Sequence, residues 1–90
     1  METTSTATLR LTVRYFAAAR AAAGLESENI RVAEGTTVAT LVDTLAERGP
    51  ELAKVLKRCS FLRDGIAVRD DAIELSDGQT IDVLPPFAGG

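Results

Sequence analysis

The chain contains no histidine and no tryptophan, and its only cysteine is Cys59. Without histidine, neither a Ser-His-Asp nor a Cys-His nucleophile can be assembled, and the commonest ligand for zinc and iron is missing. The expectation is a protein that does not hold the general base of any reaction it joins. One cysteine excludes an internal disulfide and a cysteine-rich metal site, and it cannot supply the four ligands of an iron–sulfur cluster. No stretch approaches the ~18 consecutive apolar residues of a membrane-spanning helix. The N-terminal METTSTATLR has no basic region followed by an apolar run, so no secretory signal is visible. Ten basic residues are scattered among 13 acidic ones, and only Lys57 and Arg58 are adjacent. That arrangement offers no stripe for tracking phosphates and no polybasic membrane patch. These absences predict a cytoplasmic protein with no nucleic-acid and no membrane partner.

What is present suits one small domain. Ninety residues, 46% hydrophobic and 26% charged, can build a single core and no second one. Residues 1–7 read as a flexible polar tail, 8–84 as the folded body and 85–90 as an extended C-terminal tail.

From Thr8 to Tyr15 the chain alternates. Leu9, Leu11, Val13 and Tyr15 share one face; Thr8, Arg10, Thr12 and Arg14 share the other, which is a strand with one wet side. The Ala-rich stretch from Phe16 to Ala23 closes at Gly24 and suits a short helix with a left-handed cap. Ser27 to Ala33 alternates again, with Ile30 and Val32 inward, and should form a hairpin with the first strand whose register stays open.

Val38, Leu41, Val42, Leu45 and Ala46 then make one helical stripe behind a Thr37 N-cap, stopped by Gly49-Pro50. Glu51 to Arg58 predicts a second short helix with Leu52, Val55 and Leu56 inward. Cys59 to Arg63 returns to strand, Asp64-Gly65 is a tight-turn dipeptide, and Ile66 to Val68 pairs back briefly. Asp70-Asp71 and Ser76-Asp77-Gly78 mark turns, with Ile73 and Leu75 plugging the core between them. Gln79 to Leu84 is the last strand. The order predicts an α+β roll: a mixed sheet of four to five strands packed on one main helix plus short helices.

The chemistry-bearing segment is Pro85-Pro86-Phe87-Ala88-Gly89-Gly90. Two prolines cannot donate to a sheet and favour an extended exit. Six extended residues reach about 20 Å, enough to carry the Gly90 carboxylate into another protein's active site. Glycine suits a narrow channel because it has no Cβ. A carboxylate is an inert acyl group until activated, and this chain has no phosphate-binding loop to activate it, so the activating enzyme must be a partner.

Other candidates carry less. Asp70, Asp71, Glu74 and Asp77 cluster in sequence but stand beside Gly and Ser as solvated turn residues do, so no metal is expected. Cys59 reads as a half-buried strand cysteine. Tyr15 and Phe16 read most simply as core. Alternation cannot bury both Phe61 and Leu62, so Phe61, Leu62, Leu84 and Phe87 are candidates for an apolar partner-facing patch.

These residues together resemble the MoaD/ThiS family of sulfur carriers. The matching stretches are Val13-Arg14-Tyr15-Phe16-Ala17 with Arg20 and Gly24, Thr37-Val38 with Leu41 and Leu45, Leu75-Ser76-Asp77-Gly78, and Leu84 through Gly90. Phe87 is bulkier than the aliphatic residue usual in that family.

The resemblance implies a ubiquitin-like β-grasp fold. It also implies that the Gly90 carboxylate is adenylated by an E1-like, ATP-dependent enzyme and converted to a thiocarboxylate with sulfur from a sulfurtransferase. Within the family the double proline points to the carriers of molybdenum cofactor biosynthesis. Their tail enters the large subunit of molybdopterin synthase, a heterotetramer, and delivers sulfur to cyclic pyranopterin monophosphate. On that pattern Gly89 threads the channel, while Ala88, Phe87, Pro86 and Pro85 direct the tail. Phe61, Leu62 and Leu84 face the partner, the chain binds no cofactor, and it is not an enzyme on its own. Sulfur delivery to thiazole, cysteine or tRNA, a ubiquitin-like protein modifier, and a plain interaction module remain the alternatives.

Overall fold

The computed structural model describes residues 7–86; most of the predicted N-terminal tail and residues 87–90 lie outside the described residues. Eight elements follow in order: β1 (Thr8–Tyr15), α1 (Ala17–Ala23), β2 (Ser27–Ala33), α2 (Val38–Ala46), α3 (Pro50–Leu56), β3 (Ser60–Arg63), β4 (Ile66–Ala67) and β5 (Thr80–Leu84). The strands form one mixed sheet in the order β2-β1-β5-β3-β4. β5, the last strand in sequence, lies at the centre, parallel to β1 and antiparallel to β3. This is the predicted α+β roll.

One face of the sheet carries the core. Leu11, Val13, Ile81 and Val83 are wholly buried against Val38, Leu41 and Leu45 of α2, with Leu52 and Leu56 of α3 beside them. Burying each of the larger α2 side chains contributes roughly 1.5–3 kcal/mol. Val42, expected in that stripe, is only half-buried, because α2 turns it toward an open groove beside β3. Ile73 is likewise half-buried while Leu75 is buried. The backbone explains that difference. The Ile73 and Asp71 carbonyls accept the free N–H groups of Val38 and Ala39 at the start of α2, so this loop caps the helix more than it fills the core.

Local chemistry sets the boundaries. The Thr37 hydroxyl oxygen accepts from Thr40 N–H at 3.2 Å and caps α2. Pro50 opens α3, where a missing N–H costs nothing. Asp64 and Gly65 both have positive φ, 50° and 85°, the signature of a hairpin turn whose twist matches its strands. Gln79 precedes β5 rather than belonging to it; its side-chain oxygen accepts from Ser76 N–H and closes the preceding turn.

A polar network ties the β1–β2 hairpin to the end of α2. The Tyr15 hydroxyl donates to Glu28 Oε2 at 2.6 Å, and the Arg48 guanidinium donates to the same oxygen. Burial, followed by the bond to Glu28, pushes the Tyr15 phenol up, which keeps it a proton donor. For Glu28, burial works against the charge, but hydrogen bonds from Arg48 and Tyr15 together with the Arg48 charge outweigh it and lower the carboxyl's pKa.

A carboxylate depressed in the folded state stabilises fully above its ordinary value of 4.5, and loses that contribution as pH falls through the folded-state value. Glu28→Gln is therefore expected to cost about 1 kcal/mol at neutral pH and to flatten the acid side of the stability profile. Urea unfolding of both proteins across that range checks it, and parallel profiles would refute the role given to Glu28.

Candidate functional site

Strand alternation sends every second side chain to the face opposite the helices. On that open face the register aligns Arg14 of β1, Asp82 of β5, Leu62 of β3 and Ala67 of β4 in one row, with Leu84 opposite Ser60 one step along. Asp82 is nearly buried although it points away from the core. Its carboxylate takes both arms of Arg14, Nε to Oδ1 at 2.6 Å and Nη2 to Oδ2 at 2.8 Å. Such a two-point pair is stronger and more directional than a single contact. The bonds and charge of Asp82 raise the guanidinium's pKa, so Arg14 is cationic at any physiological pH. The Phe16 ring lies 5.6 Å from the same guanidinium, within cation–π range.

Phe16 is therefore not core. It is 38% exposed on the open face, while Tyr15 is buried as expected. The parity that puts Tyr15 inside puts Phe16 outside, and Phe16 N–H still reaches the Val83 carbonyl at 3.2 Å, one residue past the end of β1. Ala17 then takes a left-handed φ of 50°, a conformation that costs an L-residue roughly 1–2 kcal/mol, and turns the chain into α1.

The other predicted patch residues are divided by the sheet. Leu62 and Leu84 stand half-buried on the open face, beside the Arg14–Asp82 pair. Phe61 opposes Val83, so it faces the helices and packs against the core. The tail leaves from the Leu84 end of β5: Pro85 is buried and Pro86 exposed. The calls on Phe87, Ala88, Gly89 and Gly90 fall outside the described residues. Near the exit, then, stand Phe16, Arg14, Asp82, Leu62 and Leu84, of which sequence reasoning named the two leucines for this role.

The depressions among the described residues are open rather than enclosed. One depression, of about 630 Å³, is an open groove on the helical side, bordered by Val42, Leu56, Cys59, Phe61 and Val68. Among the described residues no three metal-ligating side chains converge. Asp70, Asp71, Glu74 and Asp77 are all exposed. The Asp70 and Asp77 carboxylates instead hold local backbone, accepting from Ala72 N–H and Arg10 N–H. Cys59 sits just before β3 rather than in it, with its thiol directed to the Val55 carbonyl at 3.2 Å.

The comparisons with known proteins agree with this architecture. The model of the ThiS family matches residues 13–90, and the chain belongs to that family. It has the ubiquitin-like β-grasp fold of the sulfur carriers. The molybdopterin synthase sulfur carrier subunit of Chlamydomonas reinhardtii is 30% identical over 83 residues, covering 91% of this chain and all of that protein. In solved structures, the Haloferax volcanii HVO 2177 protein superposes with a TM-score of 0.84 at 29% identity, covering 100% of this chain and 94% of that one. Haloferax volcanii SAMP1 gives 0.78 at 24% identity, with 90% and 99% covered. The complex of subunits 1 and 2 of molybdopterin-converting factor from Helicobacter pylori gives 0.67 at 22% identity, with 91% and 100% covered. The last two share the fold.

Burial pushes the Cys59 thiol up, which starves it of reactive thiolate. Alkylation of the folded protein at neutral pH is expected to run at least roughly tenfold slower than in denaturant. Equal rates would show a thiol open to chemistry.

Proposed function

We propose that this chain is the sulfur-carrying small subunit of a molybdopterin synthase, with the Gly90 carboxylate as its working group. The observation that carries the reading is the full-length match to a sulfur carrier subunit of that enzyme. The end of the central strand at Leu84, followed by the two prolines of which Pro86 is exposed, supports it, because neither proline can continue the ladder. An E1-like partner supplies ATP, and a carboxylate oxygen of Gly90 attacks the α-phosphorus and expels pyrophosphate. The outer sulfur of a sulfurtransferase persulfide then attacks the acyl carbon and displaces AMP, and a thiol reductant cleaves the S–S bond of the resulting acyl disulfide to leave the thiocarboxylate. The large subunit takes the tail into its own active site, where the thiocarboxylate sulfur bonds to a carbon of cyclic pyranopterin monophosphate and water cleaves the acyl C–S bond, returning the Gly90 carboxylate. Gly89 and Ala88 give the tail its narrow cross-section, and Phe87, Pro86 and Pro85 give it direction. The carrier contributes the acyl group and its docking surface, and binds no cofactor itself.

Incubation with the activating enzyme, ATP and a sulfur donor is expected to raise the intact mass by the difference between sulfur and oxygen. Removing Gly90, or adding one residue after it, should cut sulfur transfer by roughly 10²-fold or more, since reacting groups tolerate little misplacement. The thermal midpoint should not move. Full activity in the extended protein, with its added residue still attached, would end this reading. Covalent attachment to lysines of other proteins would mark a modifier instead.

A further inference from the structure

The open face has a second charged feature, at the end away from the tail. In the β1–β2 register Arg10 stands directly opposite Arg31. The ladder bonds from Glu34 N–H to the Ala7 carbonyl and from Tyr15 N–H to the Glu26 carbonyl place odd-numbered β1 residues in hydrogen-bonded pairs. Arg10 and Arg31 therefore form a non-hydrogen-bonded pair, the kind in which side chains approach most closely. Like charges so placed destabilise a sheet. The neighbouring pairs on this face are conventional: Thr12 donates to Asn29 at 2.9 Å, and Arg14 has Asp82. Among the described residues no carboxylate forms an ion pair with Arg10 or Arg31. Asp77 borders the same shallow depression, its Oδ1 accepting from the Arg10 backbone N–H, and two arginines against this one carboxylate leave the depression formally positive in a chain of net charge −3.

Arg10 lies four residues before Arg14 on the same strand face, about 13 Å away. The charged pair is thus continuous with Phe16, Leu62 and Leu84 beside the root of the tail. We infer that this whole open face is the docking surface for the protein that receives the tail, and that the receiving protein sets a carboxylate between the guanidiniums of Arg10 and Arg31. The apolar end is covered by the rim of the partner's channel, and the charged end fixes the angle at which the body sits over it. Two arginines beside an aspartate are too few for a nucleic-acid track, and a partner carboxylate relieves the repulsion that the free carrier keeps. The inference rests on the tail-delivery reading above.

The test uses the full chain and the molybdopterin synthase large subunit from the same organism, with affinity and thermal midpoint measured for each variant. Arg31→Gln removes one charge while keeping a long polar side chain. It is expected to weaken binding about tenfold at low salt, with a smaller loss at high salt, and to raise the carrier's own midpoint by roughly 1–5 °C as the repulsion disappears. Arg31→Lys keeps the charge and should change both far less. A carrier lacking Gly89 and Gly90 runs in parallel. If the intact carrier does not bind the large subunit, the tail-delivery reading fails and takes the clamp with it. If the intact carrier binds, the truncated one is impaired and Arg31→Gln matches wild type, the clamp alone is wrong. A lowered midpoint in Arg31→Gln would show that the pair is engaged within its own chain, and competition by transfer RNA would show that it reads phosphate; either overturns the proposal.

Discussion

The structure depends on one constraint: the last strand in sequence must insert between β1 and β3. Ile81 and Val83 are wholly buried there, between the inward side chains of β1 and Phe61 of β3. Without β5 the β1–β2 hairpin and the β3–β4 hairpin would share no hydrogen bonds. The parallel pairing with β1 also fixes the direction in which the chain leaves the fold. The segment that follows the central strand therefore has a fixed origin at Leu84.

The two faces of the sheet divide the work. The helical face supplies stability through aliphatic packing and through the Tyr15–Glu28–Arg48 network at its margin. The open face places arginines, an aspartate, an aromatic ring and two leucines where no helix covers them. Asp82 shows how the division is kept: a carboxylate with little solvent access would be costly alone, and Arg14 compensates it while staying half-exposed. That guanidinium is held in plane by a carboxylate and under an aromatic ring, so it loses little freedom on meeting a partner.

Much of this was legible in the chain. The period-two run of Thr8–Tyr15, the helical stripe from Val38 to Ala46, the Asp64-Gly65 turn and the diproline exit each carry their own local signal, and the elements form where those signals stand. What local pattern does not carry is register. Alternation says that Arg10, Arg14, Arg31 and Asp82 all face outward, but not that Arg10 meets Arg31 or that Arg14 meets Asp82 across 68 residues, since a slip of two keeps every side chain on its face and changes every neighbour. Phe16 is a different case. Its exposure follows from extending the β1 parity by one residue, and it was obscured because an aromatic after Tyr15 and before an alanine run looks like packing material. Alternation divides Phe61 from Leu62, and both were expected to face the partner; only the pairing with Val83 tells that Phe61 turns inward.

The central position of β5 also bears on how the protein is made. During synthesis β1, the helices and β3 emerge before the strand that joins them, and a contact spanning most of the chain closes last. A nascent or truncated chain ending before Thr80 has a gap where Ile81 and Val83 belong, and Val13, Tyr15 and Phe61 border that gap. Such a chain displays apolar surface to chaperones and proteases, whereas a complete one hides it. Folding thus acts as an inspection step: the molecules that reach the stable pool are those in which the central strand is already in place.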